Sequence, residues 1–73
     1  MILIYSKPGC GKCEQTRRLL EAKGLTCTVI DVTQDADAAA RLHALGVKQL
    51  PYVVTDTDAW TDFRLDKIKD TTQ

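Results

Sequence analysis

Two cysteines separated by two residues, Cys10 and Cys13, stand at the junction between a short apolar run and a helical pattern. The run from Ile2 to Tyr5 is rich in β-branched and aromatic residues, and a turn-forming Pro-Gly pair follows it, which predicts a buried strand. Residues from about Gly11 to Lys23 predict a helix. Any fold of this chain therefore has to accommodate a strand that turns into a helix at the cysteine pair.

The length of 73 residues predicts one domain, residues 1–73, with a modest core. Ten basic and ten acidic residues cancel, so no net charge favours binding to nucleic acid. No apolar run approaches the roughly 20 residues of a membrane span, and the apolar start of the chain is too short for a signal peptide. We therefore expect a soluble, cytoplasmic, monomeric protein that does not bind membranes.

The chain has three cysteines, of which Cys27 is the third. A disulfide-stapled secreted domain normally carries an even and larger number, and structural disulfides are rare in a reducing cytosol. A bond between Cys10 and Cys13 would close a very small loop and remove little chain entropy. Because fold stability does not explain the pair, we expect it to be catalytic or to bind a metal.

The first helix is expected to place Cys13, Thr16 and Leu20 on one buried face. Gly24 suits the left-handed position just past the end of this helix, where a side chain would be strained. Residues Leu25 to Val32, which are rich in β-branched side chains, predict the second strand.

A second helix follows, and Thr33 is expected to be its N-cap. Its apolar stripe is predicted to consist of Ala38, Leu42 and Leu45. Gly46 is expected to end this helix in the way that Gly24 ends the first.

The C-terminal part predicts a strand from Leu50 to Val54, a turn, a short strand beginning at 59–60, and a helix near Arg64 to Lys69 with Leu65 and Ile68 inward. The order is then β-α-β-α-β-β-α. The first two strands are parallel because a helix joins them by a right-handed crossover, and the last two form an antiparallel hairpin. We therefore predict the α/β class, with a four-stranded mixed sheet flanked by three helices.

The predicted position of Cys10, just ahead of a helix, favours a reactive thiolate. The first turn of a helix carries unpaired backbone N–H groups and a partial positive charge, and C-x-x-C thiols in this position have pKa values of roughly 3.5 to 7. Lys7 and Lys12 add positive charge nearby. Gly9 and Gly11 have no side chains and leave room for the backbone of a partner.

The spacing of the pair predicts two different roles. Cys10 would attack a substrate disulfide, and the more buried Cys13 would then attack the Cys10 sulfur and release the reduced substrate. Pro51 is expected to follow a cis peptide bond and to help present backbone to an extended partner. The alternative for Pro51 is an ordinary proline at a strand edge.

A metal site is the main alternative for the cysteine pair. Zinc normally needs four ligands, and the other candidates are Cys27 and His43. Cys27 is expected to be a small buried apolar residue in the middle of a strand, and His43 to be at or near the surface. A second C-x-x-C or C-x-x-H is missing, so we predict no metal ligands.

Three segments together resemble a known family: YSKPGCGKC at 5–13, QLPYVV at 49–54 and WTDFRLDKI at 60–68. With them the chain resembles the glutaredoxin branch of the thioredoxin superfamily, and within it the NrdH-type redoxins, from Met1 to about Lys69. The resemblance implies a thioredoxin fold and a dithiol–disulfide oxidoreductase. It also implies reduction by thioredoxin reductase with NADPH and electron transfer to the large subunit of class Ib ribonucleotide reductase, without a cofactor bound to the chain.

By position, the resemblance makes Cys10 the attacking cysteine, Cys13 the resolving cysteine and Pro51 the cis-proline beside the site. Substrate or partner contacts are expected at Lys7, Gly9, Gly11, Lys12, Gln49, Leu50, Pro51, Trp60, Thr61 and Phe63. For Trp60 general burial habits favour a packing role, and the resemblance favours recognition.

The chain departs from the family pattern W-S-G-F-R-P-D, because Asp62 replaces the glycine and Leu65 the proline, and Asp56 replaces a glycine of the hairpin. Aspartate tolerates positive φ better than most residues, but it adds negative charge near the expected partner surface. The Gly-Gly pair with which glutaredoxins hold glutathione is absent, and Arg64 stands where their aspartate would be, which implies weak or no glutathione binding.

Three other functions stay open at this point. A glutathione-dependent glutaredoxin is compatible with Lys7, since a lysine there can pair with a glutathione carboxylate. The others are a small metal or iron–sulfur module and an interaction domain that kept the fold without the catalysis.

Overall fold

The computed structural model describes residues 1–72. It contains the predicted order of elements: β1 Ile2–Ser6, α1 Gly11–Ala22, β2 Cys27–Asp31, α2 Ala36–Ala44, β3 Tyr52–Val54, β4 Ala59–Thr61 and α3 Leu65–Asp70. Within residues 1–72, no helix combines the length and the apolar character that crossing a membrane requires.

The four strands form one mixed sheet in the order β2-β1-β3-β4. Strand β1 pairs with β2 in parallel and with β3 in the antiparallel direction, and β3 and β4 form the antiparallel hairpin. The predicted α/β class and mixed sheet are thus confirmed. Because β1 lies in the interior of the sheet, the strand that leads to the cysteine pair has a neighbour on each side.

The sheet carries a core on each face because the side chains of β1 alternate in direction. Ile2 and Ile4 point to one face and Tyr5 to the other. The first core also contains residues of α1, β3, β4 and α3, namely Leu20, Val53, Trp60 and Ile68. The second core joins Tyr5 to two residues of α2, Ala38 and Leu42.

Both helix ends predicted from glycines are confirmed. Gly24 has a φ of 82°, and the N–H of Leu25 reaches back to the carbonyl of Leu20 at 3.3 Å. Gly46 has a φ of 75°, and the N–H of Val47 bonds to the carbonyl of Leu42 at 3.0 Å. This is the pattern in which a left-handed residue satisfies the last carbonyls of a helix.

The cap predicted for the second helix is wrong. Asp35, not Thr33, is the N-cap, and its carboxylate accepts the N–H of Ala38 at 3.0 Å. Thr33 instead donates its N–H and hydroxyl to the carboxylate of Asp31, at 2.8 and 2.6 Å. The chain therefore turns once more before α2 begins at Ala36.

Two leucines predicted to point inward are exposed: Leu45 by 58 % and Leu65 by 44 %. Leu45 is the residue that caps α2, where the helix leaves the sheet, and Leu65 is the first residue of the short α3. In α3 only Ile68 is buried. A helical spacing therefore identifies the buried stripe only within the central turns.

The second and third strands are shorter than predicted. Strand β2 begins at Cys27 because Leu25 is engaged in the end of α1. Strand β3 begins at Tyr52, after a proline that cannot donate to a ladder. Cys27 is consequently the first residue of an edge strand and half-buried, not a buried residue of mid-strand.

Lys23 connects the C-terminal ends of α1 and α3. Its ammonium group donates to the carbonyls of Ile68, Lys69 and Thr71 at 2.7, 2.7 and 2.8 Å. An ammonium group has three N–H donors, so this contact uses all of them.

We expect Lys23→Met to lower the free energy of unfolding by about 1 to 2 kcal/mol, because three carbonyls at the end of α3 lose a charged donor. For a domain of this size that corresponds to a fall in Tm of roughly 4 to 16 °C in a thermal melt. Lys48→Met, at an exposed lysine of a loop, serves as the control. An equal Tm for both variants would contradict the role assigned to Lys23.

Candidate active site

Cys10 is the N-cap of α1, as the position of the pair predicted. Its backbone is extended, with a φ of −87°, and its sulfur accepts the backbone N–H of Cys13 at 3.2 Å. Its carbonyl accepts the N–H of Glu14 at 3.2 Å, which begins the helix. The first-turn N–H groups thus lie where negative charge on the Cys10 sulfur would be stabilised.

The sulfurs of Cys10 and Cys13 are joined as a disulfide, with their Cα atoms 5.3 Å apart. This Cα distance lies in the ordinary range for disulfides. Cys13 is 5 % exposed, whereas Cys10 is half-buried. The expected difference in exposure is therefore present, and Cys10 is the more accessible of the two.

A cavity of about 450 Å³ lies beside the pair and is lined by both cysteines. Gly9 and Gly11 are part of its wall, and a Cβ at either position would have nothing within 4 Å. Lys7, also in the wall, is exposed. The open space expected around Cys10 is present, and contact of these residues with a partner stays a prediction.

Lys12 is not free beside Cys10. Its ammonium lies 2.8 Å from the carboxylate of Asp62, in the loop after β4. Asp62 adopts positive φ, 69°, which confirms the conformation suggested for this position. The sequence did not reveal this ion pair, because the residues are far apart along the chain and no local spacing relates them.

The peptide bond between Leu50 and Pro51 is cis, as expected from the sequence. Pro51 is buried, Leu50 is half-buried and Gln49 is exposed. The carbonyl of Pro51 accepts the N–H of Asp62 at 2.9 Å. Asp62 therefore contacts the Pro51 loop through its backbone and the cysteine motif through its side chain.

Trp60 is 6 % exposed and packs in the core that contains Ile4 and Val53. Its indole N–H is buried without a partner among the described residues. Trp60 therefore has the packing role that is usual for a buried tryptophan, and recognition of a partner by Trp60 stays a prediction. Thr61 and Phe63 are half-buried and keep some surface.

A second cavity, of about 540 Å³, brings together three of the expected contact residues, Gln49, Trp60 and Thr61. Its wall also contains Leu45 and Lys48, which sequence reasoning did not assign to a site. The exposed Leu45 was missed because its helical spacing suggested burial.

Cys27 differs chemically from the pair. Burial raises the pKa of its thiol, and the Glu21 carboxylate adds to the effect. Within residues 1–72, no three His, Cys, Asp or Glu side chains come together in a group that could hold a metal ion. His43 is exposed on α2.

Comparison with known proteins matches this chain to a protein family and to individual relatives. The glutaredoxin family model matches residues 2–60. The glutaredoxin-like protein NrdH of Salmonella typhimurium is 37 % identical over 67 residues, which are 92 % of this chain and 83 % of the relative. The gene 56 protein of Mycobacterium phage L5 is 35 % identical over 57 residues, which are 77 % of this chain and 55 % of that protein.

Solved structures give the same assignment. The structure of the glutaredoxin-like NrdH-redoxin of Escherichia coli, a protein with a thioredoxin-like activity profile, superposes with a TM-score of 0.93 and 35 % identity. The match covers 99 % of this chain and 95 % of that one. The chain therefore belongs to the glutaredoxin family, as a glutaredoxin-like redoxin of the NrdH type with a thioredoxin fold, and is a thiol–disulfide oxidoreductase.

Proposed function

We propose that this redoxin carries electrons from thioredoxin reductase to class Ib ribonucleotide reductase, with Cys10 as the attacking and Cys13 as the resolving cysteine. The observation that carries the assignment of roles is the Cys10 sulfur at the start of α1, accepting the N–H of Cys13 at 3.2 Å while Cys13 itself is buried. The thioredoxin-like activity profile of the E. coli relative supports the choice of reductase.

The reaction is two consecutive thiol–disulfide exchanges. The Cys10 thiolate attacks one sulfur of the client disulfide, forms a mixed disulfide and expels the other client sulfur as a thiolate. The Cys13 thiol then loses its proton to solvent and attacks the Cys10 sulfur, which expels the second client thiolate. The client gains two electrons, and the redoxin keeps the Cys10–Cys13 disulfide.

The cycle closes when a reductase dithiol reduces this disulfide by the same chemistry in reverse. NADPH supplies the two electrons to the reductase, so the redoxin needs no cofactor of its own. This role requires a reducing compartment and places the protein in the cytosol. The proposed contacts for the reductase and the client are Gln49, which is exposed, and Thr61 and Phe63, which are partly exposed.

The test is NADPH consumption with insulin as the final disulfide acceptor. One reaction contains a bacterial thioredoxin reductase, and the other contains glutathione with glutathione reductase. We expect turnover in the first and at most a few per cent of it in the second, because the chain lacks the glycine pair and the acidic residue that the glutaredoxin pattern uses for glutathione. The Cys10→Ser variant leaves the core residues unchanged and removes the attacking thiol, so it should abolish turnover.

Turnover with glutathione alone would contradict the proposal and identify a glutathione-dependent glutaredoxin. Turnover in neither reaction, by protein whose three thiols are all free after reduction, would contradict it as well. Stoichiometric zinc or an iron–sulfur absorbance band in the purified protein would then support the metal-binding alternative.

We also expect an acidic thiol at Cys10. In reduced protein carrying Cys27→Ser, the rate of alkylation by iodoacetamide should level off near neutral pH, because C-x-x-C thiols at helix N-termini have pKa values of roughly 3.5 to 7. Cys13→Ser in the same background identifies the thiol that reacts. A rate that still rises steeply between about pH 8 and 9, the range of an ordinary thiol, would contradict the assignment.

A further inference from the structure

Asp62 joins three parts of the active-site surface. Its carboxylate lies 2.8 Å from the ammonium of Lys12 and accepts the N–H of Phe63 at 2.8 Å. Its own N–H donates to the carbonyl of Pro51 at 2.9 Å. The side chain that meets Lys12 is therefore fixed at its backbone on both sides, and the ion pair has a defined geometry although both partners are partly exposed.

Lys12 is two positions from Cys10 and in the first turn of the same helix. An unpaired ammonium there would add to the stabilisation of the Cys10 thiolate. The Asp62 carboxylate, 2.8 Å away, holds this ammonium so that it is not free to move towards the Cys10 sulfur, and its negative charge opposes the field of Lys12. The helix N-terminus, with the Cys13 N–H, is then the main stabilising influence on the thiolate.

We propose that Asp62 is a positioning residue that limits the stabilisation of the Cys10 thiolate by Lys12 and so keeps the dithiol strongly reducing. A more stable thiolate favours the reduced form of the pair and makes it a better oxidant. A protein that donates electrons benefits instead from a less stable thiolate, because its dithiol is then the stronger reductant. The inference rests on the proposed function only in taking Cys10 as the attacking thiol.

The other charges near Cys10 are consistent with this role for Asp62. Lys7 and Glu14 line the cavity beside the pair, together with Arg17. Glu14 is engaged by Arg17 and also by Arg18 at 3.4 Å. On the side of the Pro51 loop, residues 49–51 carry no charge, and the nearest charged residue of that segment is the exposed Lys48.

Asp62 is negatively charged at neutral and alkaline pH. The hydrogen bond from Lys12, followed by that from the N–H of Phe63, lowers the pKa of the Asp62 carboxyl below its ordinary value. Its charge is therefore constant over the neutral and alkaline range, and its effect on the pKa of Cys10 does not change with pH in that range. Only a substitution removes it.

The test uses Asp62→Asn, because asparagine tolerates positive φ and still offers an oxygen to the N–H of Phe63. The readout is the pH dependence of Cys10 alkylation by iodoacetamide at low salt, in reduced protein carrying Cys27→Ser. We expect the acid dissociation constant of Cys10 to rise about two- to fourfold, the range for an exposed ion pair. High salt should reduce this difference.

Two comparisons make the result specific. In the background Lys12→Met, Asp62→Asn should change the pKa of Cys10 clearly less than it does beside Lys12, because only the direct field of the carboxylate is then lost and no ammonium is freed. Asp58→Asn is the matched control: Asp58 pairs with Lys67 at 2.8 Å and accepts the N–H of its neighbour Ala59, but it lies in the hairpin turn between β3 and β4. It should leave the pKa of Cys10 unchanged.

A second readout is the equilibrium with a reference dithiol. Asp62→Asn should shift the equilibrium constant towards reduced redoxin by about the same two- to fourfold factor. An unchanged pKa in Asp62→Asn, or an equal shift in the Lys12→Met background, would overturn the inference while leaving the proposed function intact. A wild-type Cys10 with an ordinary thiol pKa would instead contradict the proposed function.

Discussion

The contact on which the site depends is the backbone N–H of Cys13 pointing at the sulfur of Cys10, 3.2 Å away. It exists because β1, paired on both sides within the sheet, is followed by a short turn at residues 7–9 that leads into α1 and leaves Cys10 as the N-cap. A cap position normally takes a side-chain oxygen; here it takes a sulfur that gains stability as a thiolate. The fold and the chemistry therefore share one turn of the chain.

The remainder of the molecule holds this turn in place and adjusts its charge. Cys13, Thr16 and Leu20 anchor α1 on the sheet. The loop after β4 approaches from the other side, since Asp62 bonds to the carbonyl of Pro51 and pairs with Lys12. Residues distant in sequence thus meet at the motif, which explains how a substitution outside the Cys-Gly-Lys-Cys segment can influence its reactivity.

Local patterns in the sequence predicted the element order, both glycine-ended helices and the position of the cysteine pair, because each depends on neighbouring residues. They failed where a particular side-chain contact or the docking of a helix on the sheet decides. Asp31 engages Thr33 and moves the helix cap to Asp35, and Leu45 lies beyond the turns that face the sheet. The pairing of Lys12 with Asp62 needs the folded loop, so no sequence spacing reveals it. Partner contacts depend on molecules outside the chain and stay predictions.

The central claim is that Cys10 attacks and Cys13 resolves, and trapping the intermediate tests it most directly. Reduced Cys13→Ser protein, which lacks the resolving thiol, is mixed with insulin and analysed by mass spectrometry after acid quenching. The account predicts a mixed disulfide between Cys10 and an insulin cysteine that persists, and no such adduct for Cys10→Ser. An adduct formed through Cys27, or an adduct that persists in Cys10→Ser but not in Cys13→Ser, would contradict the account.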